Sequence, residues 1–151
     1  LTQVPFAVDL SGDPTFREVL ARARRSSLAA YTHQNMPFDK LVEALAPAPD
    51  PSRNPVVQVL LLVLNGQSHG GGGDLDSEAV PLFDGNSRWD LMFGLYDYED
   101  LGFSGPVEFN ADVLDRATVE RWLRLFQRIL ERVTADPDVR LSALPSPAEV
   151  A

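Results

Sequence analysis

Apolar positions recur along this chain at distinct spacings, and the spacings divide it into elements. Phe16, Val19, Leu20, Ala23, Ser27 and Tyr31 fall three or four apart, which predicts an amphipathic helix reaching about His33. Asp13 offers it an N-cap oxygen, and Pro14 suits the first helical position, where a missing N–H costs nothing. Pro37 starts a shorter helix through Leu45, stopped by the proline-rich stretch Pro47 to Pro51. The helical period returns at Val119, Trp122, Leu123, Phe126, Leu130 and Val133, with Asp115 as cap and Asp136-Pro137 as terminator.

Between the helices the pattern changes to that of strands. Phe6 to Leu10 alternates weakly and reads as a short strand ended by Ser11-Gly12. Val56 to Leu64 is apolar apart from Gln58, lacks helical periodicity, and predicts a strand covered on both faces. Asn65 to Gly73, with its run of four glycines, reads as a mobile loop. Val80 to Phe83 reads as a small edge strand, where Pro81 is tolerated. Trp89 to Tyr98 and Phe103 to Asn110 flank Glu99-Asp100-Leu101-Gly102 and predict a hairpin, with Gly105-Pro106 interrupting its second arm. Two long helices and a mostly antiparallel sheet of about four or five strands make an α/β (α+β) two-layer sandwich. Residues 1–140 form that domain, and 141–151, with Pro145 and Pro147, read as a tail or linker.

Composition narrows the class. A chain of 151 residues has room for one core, and 44% hydrophobic with 23% charged residues is ordinary for a globular domain. A net charge of −9 argues against nucleic acid or an anionic membrane as the main partner. No apolar run approaches the ~20 residues of a membrane span, and the first residues lack the features of a secretory signal. Without cysteine there is no disulfide framework, and the cytoplasm is the expected compartment.

Catalytic and metal motifs are missing. The two histidines, His33 and His69, are not at ligand spacing. Gly70 to Gly73 lacks the Lys-Ser/Thr of a phosphate loop, and Ser104 does not sit in a nucleophile elbow. Asp74, Asp76 and Glu78 alternate without the further ligands of a calcium loop, and Asp97, Glu99 and Asp100 read as a solvated hairpin end. His33, at a helix end beside Pro37, reads as a structural histidine donating to a freed carbonyl. Arg22, Arg24 and Arg25 form a local basic patch, Arg22 and Arg25 sharing a helix face.

Two segments carry a family resemblance. His33-Gln34-Asn35-Met36-Pro37-Phe38-Asp39-Lys40-Leu41-Val42 is similar to the His-Gln-x-x-Pro-Phe-x-x-Leu-Val motif of nonribosomal peptide synthetase condensation domains. Ser52-Arg53-Asn54-Pro55-Val56-Val57-Gln58-Val59 resembles the Ser-Arg-Asn-Pro-x-x-Gln-Val motif of the same family. Arg88-Trp89-Asp90-Leu91, Phe109 to Asp115 and Leu141 to Pro145 echo its aromatic-Asp-Leu strand start, its strand-to-helix passage and its exit toward an adenylation domain. The resemblance covers essentially the whole chain.

What the resemblance implies is the C-terminal lobe of such a domain, with a chloramphenicol-acetyltransferase-like fold. Condensation domains join an acyl or peptidyl thioester on one carrier protein to an amine on another, both tethered by phosphopantetheine. Their catalytic His-His-x-x-x-Asp-Gly motif belongs to the N-terminal lobe and does not occur here, so the resemblance assigns no catalytic residue and implies inactivity alone. His33, Gln34, Pro37, Phe38, Leu41, Arg53, Asn54, Pro55, Gln58 and Asp90 are its motif residues, read as structural. Arg22 and Arg25 are the candidate carrier-docking residues. Implied partners are the N-terminal lobe, peptidyl carrier proteins and an adenylation domain, with self-association through uncovered apolar surface. The alternative is a degenerate condensation-like module that recruits a tailoring enzyme or a neighbouring subunit.

Overall fold

The computed structural model describes residues 4–45, 48, 50, 54–67, 86–98 and 102–150. The architecture is mixed α/β: three helices and one four-stranded sheet among the described residues. It divides into two compact units, Leu1–Pro49 with Arg116–Ala151, and Asp50–Asp115.

The first unit holds the helices α1 (Phe16–Tyr31), α2 (Phe38–Leu45) and α3 (Arg116–Ala135). α1 begins later than its proline suggested. Thr15 is the N-cap: its hydroxyl accepts from the Glu18 N–H, and the Glu18 carboxylate accepts the Thr15 N–H in return. Asp13 therefore does not cap the helix; it turns left-handed at φ 48° and accepts instead from Ser142. Residues 4–10 are not a strand: their carbonyls are met by side chains of α1, with Ser26 donating to Ala7 and Arg22 to Asp9. The core of this unit is small, with Pro14, Val119, Val133 and Val139 buried. Val119 and Val133 mark the inward stripe of α3, while Trp122 and Leu130 of the same stripe remain 37% and 42% exposed.

After α3 the chain is tied back to the start of α1. Phe16 and Arg17 donate backbone N–H groups to Val139 and Pro137, Thr15 forms a β-bridge with Arg140, and Leu141 donates to Pro14. In the segment read as a tail or linker, Leu141–Ala143 and Pro147–Val150 are single 3₁₀ turns, the second lying against α3.

The second unit is the sheet, in which β2 (Leu91–Tyr98) pairs with β1 (Val59–Gln67), β3 (Gly102–Ser104) and β4 (Val107–Phe109). Two pairings are antiparallel, as expected for a hairpin split at Gly105-Pro106. The longest pairing, β1 with β2, is parallel, from Val59 opposite Leu91 to Gln67 opposite Tyr98. The split has a steric cause: a Cβ at Gly105 would collide with the Gly94 carbonyl, and one at Gly94 would lie 2.8 Å from Pro106. The Gly94 N–H bonds the Pro106 carbonyl at 2.9 Å across this close approach.

β1 departs from expectation in two ways. It runs from Val59 to Gln67, so Asn65 to Gln67 belong to the strand and not to a loop. It is also not covered on both faces. Val59, Leu61 and Val63 are 60%, 53% and 49% exposed, while Leu60, Leu62 and Leu64 are half-buried. The sheet order leaves β1 at an edge of the described strands. The small strand expected at Val80 to Phe83, residues 68–73 of the glycine loop, and hairpin residues 99–101 lie outside the described residues.

Candidate functional site

The two motif segments fall in different units and build different things. Asn54, Pro55 and Gln58 form a polar clip at the start of β1. Asn54 donates its side-chain amide to the Arg88 carbonyl at 2.6 Å, and Gln58 donates to the Asn54 carbonyl at 2.9 Å. The Gln58 carbonyl accepts the Asp90 N–H at 3.1 Å, and the Asp90 carbonyl in turn accepts from the Asn110 N–H at 3.1 Å. One short polar segment thus joins the leads into β1, β2 and the passage after β4.

Within the clip, Val57 donates to the Pro55 carbonyl at 2.8 Å across Val56, whose φ is 68°. A three-residue turn with a left-handed β-branched centre is strained. It reverses the chain just ahead of the ladder, which explains why the apolar run starts pairing at Val59 and not at Val56. Trp89 and Leu91, beside Asp90, are buried, so the clip sits against the best-packed part of this unit. Arg53 lies outside the described residues, as do His69, Asp74, Asp76 and Glu78.

The His33–Leu41 segment occupies the C-terminal end of α1 and the start of α2. Thr32 is the C-cap, donating its N–H to Leu28 and its hydroxyl to Ala29. The His33 N–H bonds Ala30, the Gln34 N–H bonds Tyr31, and the Met36 N–H bonds His33. Pro37 accepts from the N–H groups of Lys40 and Leu41, which sets the first turn of α2. The His33 imidazole is exposed and makes no hydrogen bond among the described residues; it does not reach a carbonyl at the helix end. Residue His33, with Phe38 and Leu41, is part of the lining of a cavity of about 360 Å³, completed by Val4, Pro5, Ala30 and Met36. Gln34 is exposed outside it.

Of the two arginines expected at a docking face, Arg22 is engaged. Its guanidinium donates to the carbonyls of Asp9 and Ser11, each at 2.9 Å, and its side chain is 28% exposed. Arg25 and Arg24 are exposed.

The sequence pattern gave no hint of Asp13 and Ser142, whose bond closes the first unit. It marked the facing pair Gly94 and Gly105 only through the Gly-Pro interruption. Among the described residues no helix is long and apolar enough to cross a membrane.

Comparison with known proteins gives the same assignment as the motifs. The Condensation domain family matches residues 1–150, and the chain belongs to that family. It is 36% identical over 154 residues to a probable non-canonical nonribosomal peptide synthetase, CymA, of Salinispora arenicola, covering 95% of this chain and 2% of that protein. It is 35% identical over 142 residues to the cyclosporin synthetase of Tolypocladium inflatum, covering 91% of this chain and 1% of that one. Among solved structures, the complex of the X-domain and OxyB from teicoplanin biosynthesis matches with TM-score 0.79 and 33% identity, over 94% of this chain and 32% of that one. The crystal structure of the X-domain alone matches with TM-score 0.77 and 33% identity, over 94% of this chain and 33% of that one. The chain is a condensation-like module of the peptide synthetase class, spanning about a third of the X-domain chains and one or two hundredths of these two synthetases.

Proposed function

We propose that this chain is the C-terminal lobe of a peptide-synthetase condensation domain. In this reading it supplies one wall of the substrate tunnel and a docking surface for carrier proteins. An amide bond then forms between phosphopantetheine-tethered substrates, with the reactive histidine contributed by a partner lobe.

The observation that carries the reading is the uncovered apolar face of β1. Val59, Leu61 and Val63 are each about half exposed in a row along one strand. Covering what remains of each would contribute about 1 kcal/mol per side chain. A solvated face has no use for such a row; a face closed by another body does. The share of the X-domain chains matched, about a third, supports the same reading.

Mixing this chain with a separately produced N-terminal lobe of the same synthetase tests it. A stable complex is expected, with condensation of carrier-loaded substrates only when both lobes are present, and Leu61→Glu should prevent assembly. Turnover by this chain alone, or no complex from two well-folded samples, would refute the reading. A second reading is favoured by the solved X-domain, which was captured with OxyB: here too the lobe would recruit a tailoring enzyme. Capture of such an enzyme by a lobe pair that shows no condensation activity would favour it.

A further inference from the structure

The cavity beside His33 has a size and a lining that name the kind of molecule it fits. We infer that it is a binding site for a small neutral molecule with an apolar body and one hydrogen-bonding head, such as a medium-chain alkyl or aryl amide. The inference goes beyond the assembly role and does not depend on it.

Size comes first. A volume of about 360 Å³ lies within the range of ligand sites. At ~30 Å³ for a water-sized group it holds roughly a dozen non-hydrogen atoms, more than one inserted side chain would fill. The walls are apolar, from Val4, Pro5, Ala30, Met36, Phe38 and Leu41, and Met36 is a side chain that adapts its shape to an occupant.

Among the lining residues, His33 carries the one strongly polar side chain. Carbonyls at the adjoining end of α1 already accept: Leu28 from the Thr32 N–H, Ala29 from the Thr32 hydroxyl, Ala30 from His33 and Tyr31 from Gln34. The Pro37 carbonyl accepts twice within α2. The imidazole of His33, unbonded among the described residues, is the polar side chain at the lining that a ligand head could meet. A neutral imidazole provides one donor and one acceptor, which matches an amide. Charge argues for a neutral head over a carboxylate: the cavity lies at the negative pole of α1, on a chain of net charge −9.

Titration of the 151-residue chain with octanamide, octanoate and acetamide, followed by amide NMR shifts, tests the inference. Octanamide should shift Ala30, His33, Met36 and Leu41 saturably, with a Kd of roughly 0.1–1 mM for so few atoms. Octanoate should bind at least about threefold more weakly, and acetamide should not saturate, for want of an apolar body. Ala30→Phe, which fills the cavity, should abolish octanamide binding without lowering the unfolding midpoint. His33→Ala should weaken binding about tenfold and His33→Gln, which keeps a donor and an acceptor, by less than about threefold. If Ala30→Phe unfolds the chain, the two His33 variants decide: equal losses would refute the assignment of the head group. No saturable shift at these residues, octanoate binding as tightly as octanamide, or a dimer of this chain that occupies the cavity would overturn the proposal.

Discussion

The carboxylate of Asp13 accepts both the backbone N–H and the hydroxyl of Ser142, each at 2.9 Å, across 129 positions of sequence. Arg140 adds a bond to the Asp13 carbonyl at 2.8 Å, and Arg17 pairs with Asp138 at 2.8 Å just beyond. The segment after α3 is therefore closed onto the start of α1 by polar contacts at the surface.

Those contacts make the closure sensitive to acid. The Ser142 amide, then its hydroxyl, hold the Asp13 carboxyl below the usual carboxylate range, and the Arg17 guanidinium does the same for Asp138. A carboxyl depressed in the folded state gives stability that is complete above its unfolded value, near pH 4, and is lost as pH falls through the folded value. The unfolding midpoint should be level above about pH 5 and fall progressively as the pH drops below about 4. Asp13→Asn should lower the midpoint at pH 7 and flatten part of that fall. Calorimetry across pH measures both.

The glycine pair should tolerate no side chain. Gly105→Ala places its Cβ against the Gly94 carbonyl, a backbone atom that cannot rotate away. A loss of about 2–3 kcal/mol is expected, with loosened β3 and β4 in hydrogen exchange. Gly94→Ala meets the Pro106 ring and should cost a similar amount. Denaturant unfolding of the two variants checks this, and values within about 0.5 kcal/mol of the parent, the spread of neutral surface changes, would contradict it.

The clip should behave as one unit. Asn54→Ala and Gln58→Ala each remove a single side-chain bond and should cost about 1 kcal/mol apiece. Gln58 donates to the carbonyl of the residue whose side chain holds Arg88, so the double variant should lose less than the sum. A double-mutant cycle by urea unfolding measures the coupling.

Arg22 and Arg25 should separate stability from docking. Arg22→Ala frees the Asp9 and Ser11 carbonyls and should cost about 1–2 kcal/mol, whereas Arg25→Ala should lie within about 0.5 kcal/mol of the parent. If carriers dock on this face, Arg25→Glu should weaken carrier binding by calorimetric titration, and Arg22→Ala should act only through folding.

Helix spans were legible because three- and four-residue spacing has no other common cause. Their boundaries were not. Asp13-Pro14 imitates a helix start, yet Thr15 and Glu18, a capping box in the sequence, satisfy two N–H groups together and win. The parallel pairing of β1 and β2 leaves no mark in a pattern of apolar residues, and neither does a bond between positions 13 and 142. Family resemblance singles out Asn54, Gln58 and Asp90, but only the fold shows that Asn54 holds the Arg88 carbonyl, Gln58 the Asn54 carbonyl, and the Gln58 carbonyl the Asp90 N–H. At His33 the place at a helix end is legible, and its part in the lining of a cavity is not, because that depends on Val4 and Pro5, residues far off in sequence.

β1 carries a leucine or valine at every position from Val59 to Leu64. Over that stretch the two sides are chemically alike, so a slide of a single residue exchanges leucine and valine for leucine and valine, and burial there does little to choose the phase. Asn54 and Gln58 break that degeneracy from outside the ladder by holding Arg88 and Asp90 to fixed places. Which three side chains are left facing outward is thus set at the mouth of the ladder, where the Asn54 amide meets the Arg88 carbonyl and the Gln58 carbonyl meets the Asp90 N–H.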